Sequence, residues 1–82
     1  MNQSERRDVD VGDPSELTAG IVETVAAQVG GDPTDLPALH DAVDPEAAAA
    51  VLDTAADASV TFEYANTRVV VHASGVVSVT DA

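Results

Sequence analysis

The residues best suited to metal binding or catalysis lie in one stretch, DPTDLPALHDAVDP (32–45), which holds four aspartates, one histidine and three prolines. Carboxylate and imidazole groups can together ligate zinc, and His40 beside Asp41 supplies both donor types. A zinc site needs three or four converging ligands, however, and the only other histidine, His72, lies on a separate predicted strand. The stretch therefore offers too few converging ligands for zinc.

The same aspartates and prolines have a simpler explanation as helix caps and turn residues. An aspartate accepts hydrogen bonds from the first N–H groups of a helix, and a proline suits the first helical position. The spacing of Asp32, Asp35 and Asp41 does not match a calcium-binding EF-hand loop. We therefore interpret residues 32–45 as the connection between two helices and expect no metal site and no cofactor.

Nucleophilic catalysis has little support in the sequence. A serine nucleophile needs a histidine base and an orienting acid. Ser74 is near His72 but belongs to a predicted turn, and Ser78 would neighbour His72 only on a flat sheet face without a pocket. Gly30-Gly31 follows a helix, whereas a phosphate-binding loop opens one. We expect no catalytic residues, no enzyme activity and no small-molecule ligand.

Two amphipathic helices are predicted, each beginning at an Asp-Pro pair. The first spans residues 14–29, with Asp13 as its cap, Glu16 as the acid of a capping box and Gly30-Gly31 at its end. Its apolar residues recur at spacings of three and four: Leu17, Ile21, Val22, Val25 and Val29. The second spans residues 45–56, with one face formed by Ala48, Val51, Leu52 and Ala55. Between the helices, three residues should cover the core: Leu36, Leu39 and Val43.

From Ser59 onward the apolar period changes to two, which predicts three antiparallel strands joined by short turns. Pairing Phe62 with Val69 places Glu63 opposite Arg68, a favourable cross-strand pair. A three-residue loop over 73–75 then gives one apolar face: Val60, Phe62, Tyr64, Val69, Val71, Val77 and Val79. The opposite face carries Thr61, Glu63, Arg68, Val70, His72, Val76 and Ser78.

The predicted fold is α+β, with two helices packed on one face of a three-stranded antiparallel meander in the order ααβββ. Residues 1–12 show no apolar period and are predicted to be a flexible N-terminal tail. Residues 13–82 are predicted to form a single domain. The other face of the sheet, with Arg68, Val70, His72 and Val76, is the candidate interface, because two valines beside a histidine make it partly apolar.

The charge balance excludes some partners. Fifteen Asp and Glu face three Arg and no Lys, giving a formal charge of −12, and residues 8–58 hold twelve acids without any Lys or Arg. Such a surface repels phosphate, which argues against nucleic-acid binding. It is typical of a protein from a salt-loving cell, where the Debye length of about 3 Å in molar salt screens the repulsion between carboxylates. We therefore expect folding to weaken at low ionic strength.

Neither a signal peptide nor a membrane span is predicted. Residues 1–12 are polar, and no apolar run approaches the roughly 20 residues that a transmembrane helix needs. We expect a cytoplasmic protein without membrane contact.

Two segments resemble the halobacterial output domain 1 family: GGDPTDLPALHDAVDPEAAAAVL (30–52) and VTFEYANTRVVVHASGVVSV (60–79). The shared pattern is an amphipathic helix, DPTDLP, a short link ending in VDP, a second helix and V-x-F-x-Y at the start of the strands. The resemblance covers about residues 15 to 80. It implies a signalling or regulatory context, as in domains that end response regulators or stand alone, and it brings no catalytic residues.

Two functions follow as hypotheses. The first is a non-enzymatic interaction module that forms a homodimer, or binds another signalling protein, through its sheet, because sheet edges and a partly apolar face invite contact. The two valines also have a simpler explanation, since isolated exposed apolar residues are normal. The second is a transcription-associated accessory domain that contacts DNA weakly through Arg68 and the arginines of the tail, Arg6 and Arg7.

Overall fold

The computed structural model describes residues 4–81 as two helices packed on one side of a four-stranded antiparallel sheet. The strands are β1 (Ser4–Asp8), β2 (Ser59–Tyr64), β3 (Thr67–His72) and β4 (Val76–Asp81). The helices are α1 (Pro14–Val29) and α2 (Pro45–Leu52), with short 3-10 turns at Pro33–Asp35 and Leu39–Asp41. The strand order across the sheet is β1-β4-β3-β2.

Helix α1 has the predicted bounds, and its cap explains where it begins. The Asp13 carboxylate accepts hydrogen bonds from the N–H groups of Ser15 and Glu16 at 3.0 and 3.4 Å. A capping box would require the N–H of Asp13 to donate to the Glu16 side chain. This N–H donates instead to the Asp10 carbonyl at 3.2 Å, in the turn that precedes the helix. At the other end Gly30 takes a left-handed conformation with φ of 72°, which ends the helix.

Helix α2 is shorter than predicted. Asp44 caps its start as expected, but the helix ends at Leu52 and not at residue 56. Beyond that residue the Thr54 hydroxyl donates to the Val51 carbonyl and the Ala58 N–H donates to the Ala55 carbonyl, so turns replace the last helical turn. Ala48 and Leu52 are buried as predicted, whereas Val51 and Ala55 are exposed.

The predicted register of the meander is confirmed. Phe62 lies opposite Val69 and Glu63 opposite Arg68, while Val71 lies opposite Val77. A two-residue turn joins β2 to β3, and both of its residues, Ala65 and Asn66, have positive φ, as a type I′ turn requires. The three-residue loop between β3 and β4 has its positive φ at Gly75, as the sequence predicted.

The number of strands was predicted incorrectly. Residues 4–8 form strand β1, which pairs with β4 along its whole length, where a flexible tail was expected. The sheet therefore has four strands and not three, and residues 1–3 of the expected tail lie outside the described residues. Strand β1 is held at the sheet by backbone pairing and by the ion pair between Arg7 and Glu23 on α1. An edge strand held in this way can consist of polar residues alone, so a search for alternating apolar residues did not find it.

Val9, the residue after β1, connects this strand to α1 and to the β3–β4 loop. The Val9 N–H donates to the Gly75 carbonyl at 2.7 Å, and the Val9 side chain crosses α1 at Gly20. A Cβ at Gly20 would overlap the Cγ1 of Val9, and a Cβ at Gly75 would lie 2.7 Å from the Val9 carbonyl oxygen. Both glycines are therefore required for the N-terminal segment to approach the helix and the β3–β4 loop.

The core lies between the helices and the sheet. It is formed by side chains of the sheet, of both helices and of the connection between them, all less than 6% exposed: Leu17, Ile21, Val25, Leu39, Ala48, Leu52, Tyr64, Val69, Val71, Val77 and Val79. Leu36 and Val43 pack partly buried against this cluster, as predicted. The Tyr64 hydroxyl donates to the Pro37 carbonyl and so ties the helix connection to the sheet. Burial raises the pKa of this hydroxyl above its usual value.

Candidate interaction surface

The sheet has a helix-free face, whose side chains alternate with those of the core. Because successive residues of a strand point to opposite sides, the register assigns eleven described side chains to it: Arg6, Asp8, Ser59, Thr61, Glu63, Arg68, Val70, His72, Val76, Ser78 and Thr80. No residue in this set is buried, and Val70, Val76 and Ser78 are half-buried. We call this set the open face.

The four residues of the predicted interface lie together on the open face. Arg68, Val70 and His72 alternate along β3, and Val76 at the start of β4 is the neighbour of His72 when the pairing of Val71 with Val77 is continued by one step. Val70 lies opposite Thr61 on one side and Ser78 on the other. The two valines are therefore separated by one step along the strands and form a small apolar centre among polar groups.

Sequence reasoning missed the contribution of β1 to this face. Arg6 lies opposite Ser78 and Asp8 lies opposite Val76, so the N-terminal strand adds one positive and one negative charge beside the apolar centre. Arg7, the other arginine of this segment, points to the helix side and pairs with Glu23. Arg6, Arg7, Asp8 and Val76 line an open depression at this edge. Residues 4–8 are all polar, so no apolar period marked them as a strand.

The open face is electrically balanced, unlike the rest of the molecule. Its charged residues are two arginines, Arg6 and Arg68, and two acids, Asp8 and Glu63. The other thirteen acids and the remaining arginine, Arg7, lie elsewhere, so the net charge of −12 is carried outside the open face. The only ion pair within 4.0 Å in residues 4–81 is Arg7–Glu23, so Glu63 and Arg68 are opposite each other without forming an ion pair.

Two of the four aspartates of the helix connection, Asp32 and Asp44, act as caps. Asp32 accepts hydrogen bonds from the N–H and the hydroxyl of Thr34 at 3.0 and 2.9 Å, and these bonds hold the pKa of its carboxyl below the usual value. His40 is exposed and borders an open depression near the starts of both helices, with Pro14 and Pro45. Within residues 4–81 no three His, Cys, Asp or Glu side chains gather as a metal site would require.

The architecture is that of a small two-layer α+β domain with one sheet face left uncovered by helices. The model of the halobacterial output domain 1 family matches residues 13–81, and the chain belongs to that family. The match begins at the cap of α1, so β1 lies before it. No curated protein matches the chain. No solved structure matches it either.

Membership of an output-domain family supports a role in signalling or regulation. Among the described residues, no helix is both long and apolar enough to pass through a membrane.

Proposed function

We propose that this chain is a non-enzymatic interaction module of a signalling or regulatory system, and that a second copy of the chain binds to its open face. The observation that carries this proposal is the contrast in charge between the open face and the rest of the surface. Two copies that met through any strongly acidic surface would bring like charges together, whereas the balanced face avoids that repulsion.

The composition of the open face also suits contact between identical copies. A two-fold interface brings the same surface of each copy together, so the surface must complement itself. The open face can do so, because each copy offers two guanidinium groups and two carboxylates around the apolar centre of Val70 and Val76. Burying the half-exposed parts of these valines adds a hydrophobic contribution of about 25 cal/mol for each Å² removed from water.

Light scattering coupled to size exclusion in 2 M KCl tests this proposal. We expect the native chain to have the mass of an assembly and Val76→Lys, which places a charge at the apolar centre, to have a lower mass while its circular dichroism stays native. Ala55→Lys is the matched control, because it adds the same charge at an exposed position on the helix side. A native chain that is monomeric, or a Val76→Lys variant with unchanged mass, would contradict the proposal.

Weak DNA contact is the second candidate, and one structural observation favours it. Strand β1 brings Arg6 onto the same face as Arg68 and His72, so the open face gathers two of the three arginines of the chain. The Asp8 and Glu63 carboxylates on that face oppose phosphate binding, which makes this the weaker candidate. A DNA complex that weakens with rising salt and is lost in Arg68→Glu would support it, and no mobility shift at high DNA concentration would remove it.

A further inference from the structure

The two edges of the sheet are protected very differently. Strand β1 at one edge has four consecutive charged residues, Glu5 to Asp8. Strand β2 at the other edge reads SVTFEY, with Glu63 as its single charge and no proline. Charged side chains are a common means by which edge strands avoid pairing with other chains, whereas a strand with few charges and many β-branched and aromatic residues invites it. The edge at β2 is therefore the one suited to strand addition.

The register shows which backbone groups of β2 are available. The two-residue turn makes Tyr64 and Thr67 a hydrogen-bonded pair, and at the other end the Ala73 N–H donates to the Ala58 carbonyl at 2.9 Å. Hydrogen-bonded and non-bonded pairs alternate along an antiparallel ladder, so the even-numbered residues of β2 bond to β3. The N–H and C=O groups of Ser59, Thr61 and Glu63 then point away from the sheet, and these three residues are exposed.

The side chains of β2 also leave apolar surface at this edge. On the helix side, Val60 and Phe62 are only partly buried, although Val69 and Val71 opposite them are completely buried. Both lie against the core cluster, at the margin where the sheet ends. A further strand beside β2 would cover them.

We propose that β2 pairs antiparallel with the β2 strand of a second copy, with the two-fold axis at Thr61, so that two sheets join into one of eight strands. In this register Thr61 faces Thr61 of the second copy, and Ser59 faces its Glu63. On the helix side Val60 faces Phe62 of the second copy, which is an aromatic–β-branched pair of the kind that stabilises sheets.

Only this register uses all three outward-facing residues of β2. A shift of two residues toward the start of β2 leaves Glu63 unpaired, and the same shift the other way leaves Ser59 unpaired. A larger shift toward the end of β2 would place Glu63 opposite Glu63, and like charges directly opposite each other are destabilising. The register centred on Thr61 has the longest overlap and no pair of like charges.

This pairing rests on the proposed function, because it assumes that the sheet binds a second copy of the chain. It adds a second contact, which uses the β2 edge and not the open face. The two contacts are compatible, and a chain that makes both assembles as four copies when the two two-fold axes intersect at right angles. Val76→Lys disrupts the open face. Thr61 also lies on that face, so the edge is tested by comparing Thr61→Pro, which removes the N–H, with Thr61→Val, which changes the side chain and keeps the N–H.

Oxidative crosslinking tests the register, and the absence of cysteine from the native chain keeps the background low. In Thr61→Cys the two thiols would lie on opposite residues of a hydrogen-bonded pair, with Cα atoms roughly 5.5 Å apart, which is within disulfide range. We expect a covalent dimer on a non-reducing denaturing gel. Glu63→Cys is the matched control, because it is equally exposed but faces Ser59 of the second copy. Equal crosslinking of the two variants, or none of Thr61→Cys, would overturn the proposal.

A proline at the same position tests the backbone contact. Because the Thr61 N–H has no partner within the sheet in this register, Thr61→Pro removes no hydrogen bond from the fold, which circular dichroism would verify. We expect its mass in 2 M KCl to be half that of the native chain, whereas Thr61→Val, which keeps the N–H, has native mass. A Thr61→Pro variant of native mass would overturn the edge pairing. The proposal for the open face would still stand if Val76→Lys lowers the mass.

Discussion

The two sides of the sheet differ in packing and in charge, although the same strands supply both. On the helix side Val69, Val71, Val77 and Val79 are completely buried, while on the open face Val70 and Val76 are only half-buried. The open face has no net charge, and the surplus acids lie elsewhere. The comparison shows that the fold depends on one set of alternating positions, which leaves the other set available for contact with partners.

The largest expected effect concerns the charge difference. Raising KCl from 0.1 to 2 M should increase the melting temperature by more than about 10 °C, equivalent to roughly 2 kcal/mol for a domain of this size, because salt screens the repulsion between acids outside the open face. Thermal melts followed by circular dichroism measure this. An unchanged melting temperature would show that the surplus charge costs the fold nothing.

A pair of variants refines that measurement. Asp53 follows the end of α2, where the negative end of the helix dipole disfavours a carboxylate, so Asp53→Asn should raise stability at low salt. Glu63→Gln removes a carboxylate from the balanced open face and should not.

The next effect concerns packing, and neighbouring residues of β3 provide a matched test. Val71→Ala should lower the free energy of unfolding by about 2 kcal/mol, because it leaves a cavity in the core. Val70→Ala, one residue away on the open face, should cost about 0.5 kcal/mol. Denaturant titrations in 2 M KCl at low protein concentration measure both. Equal losses of unfolding free energy in the two variants would contradict the conclusion that the helix side of the sheet is packed more tightly than the open face.

The smallest expected effect concerns the N-terminal segment. Gly20→Ala forces the side chain of Val9 away from α1, at an overpacking cost of about 2 kcal/mol. Alanine is also the better helix former inside α1 by about 1 kcal/mol, so the net loss should be about 1 kcal/mol. Gly31→Ala is the control, since a Cβ there has only an ordinary contact at 3.7 Å with Val29. Amide hydrogen exchange should show faster exchange in β1 of Gly20→Ala alone. Native protection of β1 in that variant would mean that Val9 does not hold the strand.

Local patterns predicted most of the fold. The Asp-Pro pairs marked the starts of both helices, and the alternation from Ser59 onward, together with the turn residues, fixed the register of β2, β3 and β4. These features depend on residues close together in the chain. The end of α2 was predicted wrongly because alanine favours a helix but carries no signal for its last residue. The hydrogen-bonded turns after Leu52 set that boundary.

Strand β1 could not be found in the same way. Its residues are polar and its partner strand lies at the other end of the chain, so its position depends on distant features. The space left by Gly20 and Gly75 for Val9 is one of them, and it is visible only once the fold is known. The sequence correctly placed Arg68, Val70, His72 and Val76 on the same face of the sheet, because that placement depends only on the register of β3 and β4. Its role as an interface stays a prediction, since binding depends on a partner.

The pairing of β1 with β4 has a consequence for the order of folding. Ser4 and Thr80 are partners across 76 positions of sequence, whereas the other strand pairs are joined by turns of two or three residues. Closing so long a loop carries a greater entropic cost than closing a hairpin, and contacts of high sequence separation slow folding. The meander can therefore form early, and the fourth strand completes the sheet only when the two distant ends of the chain meet.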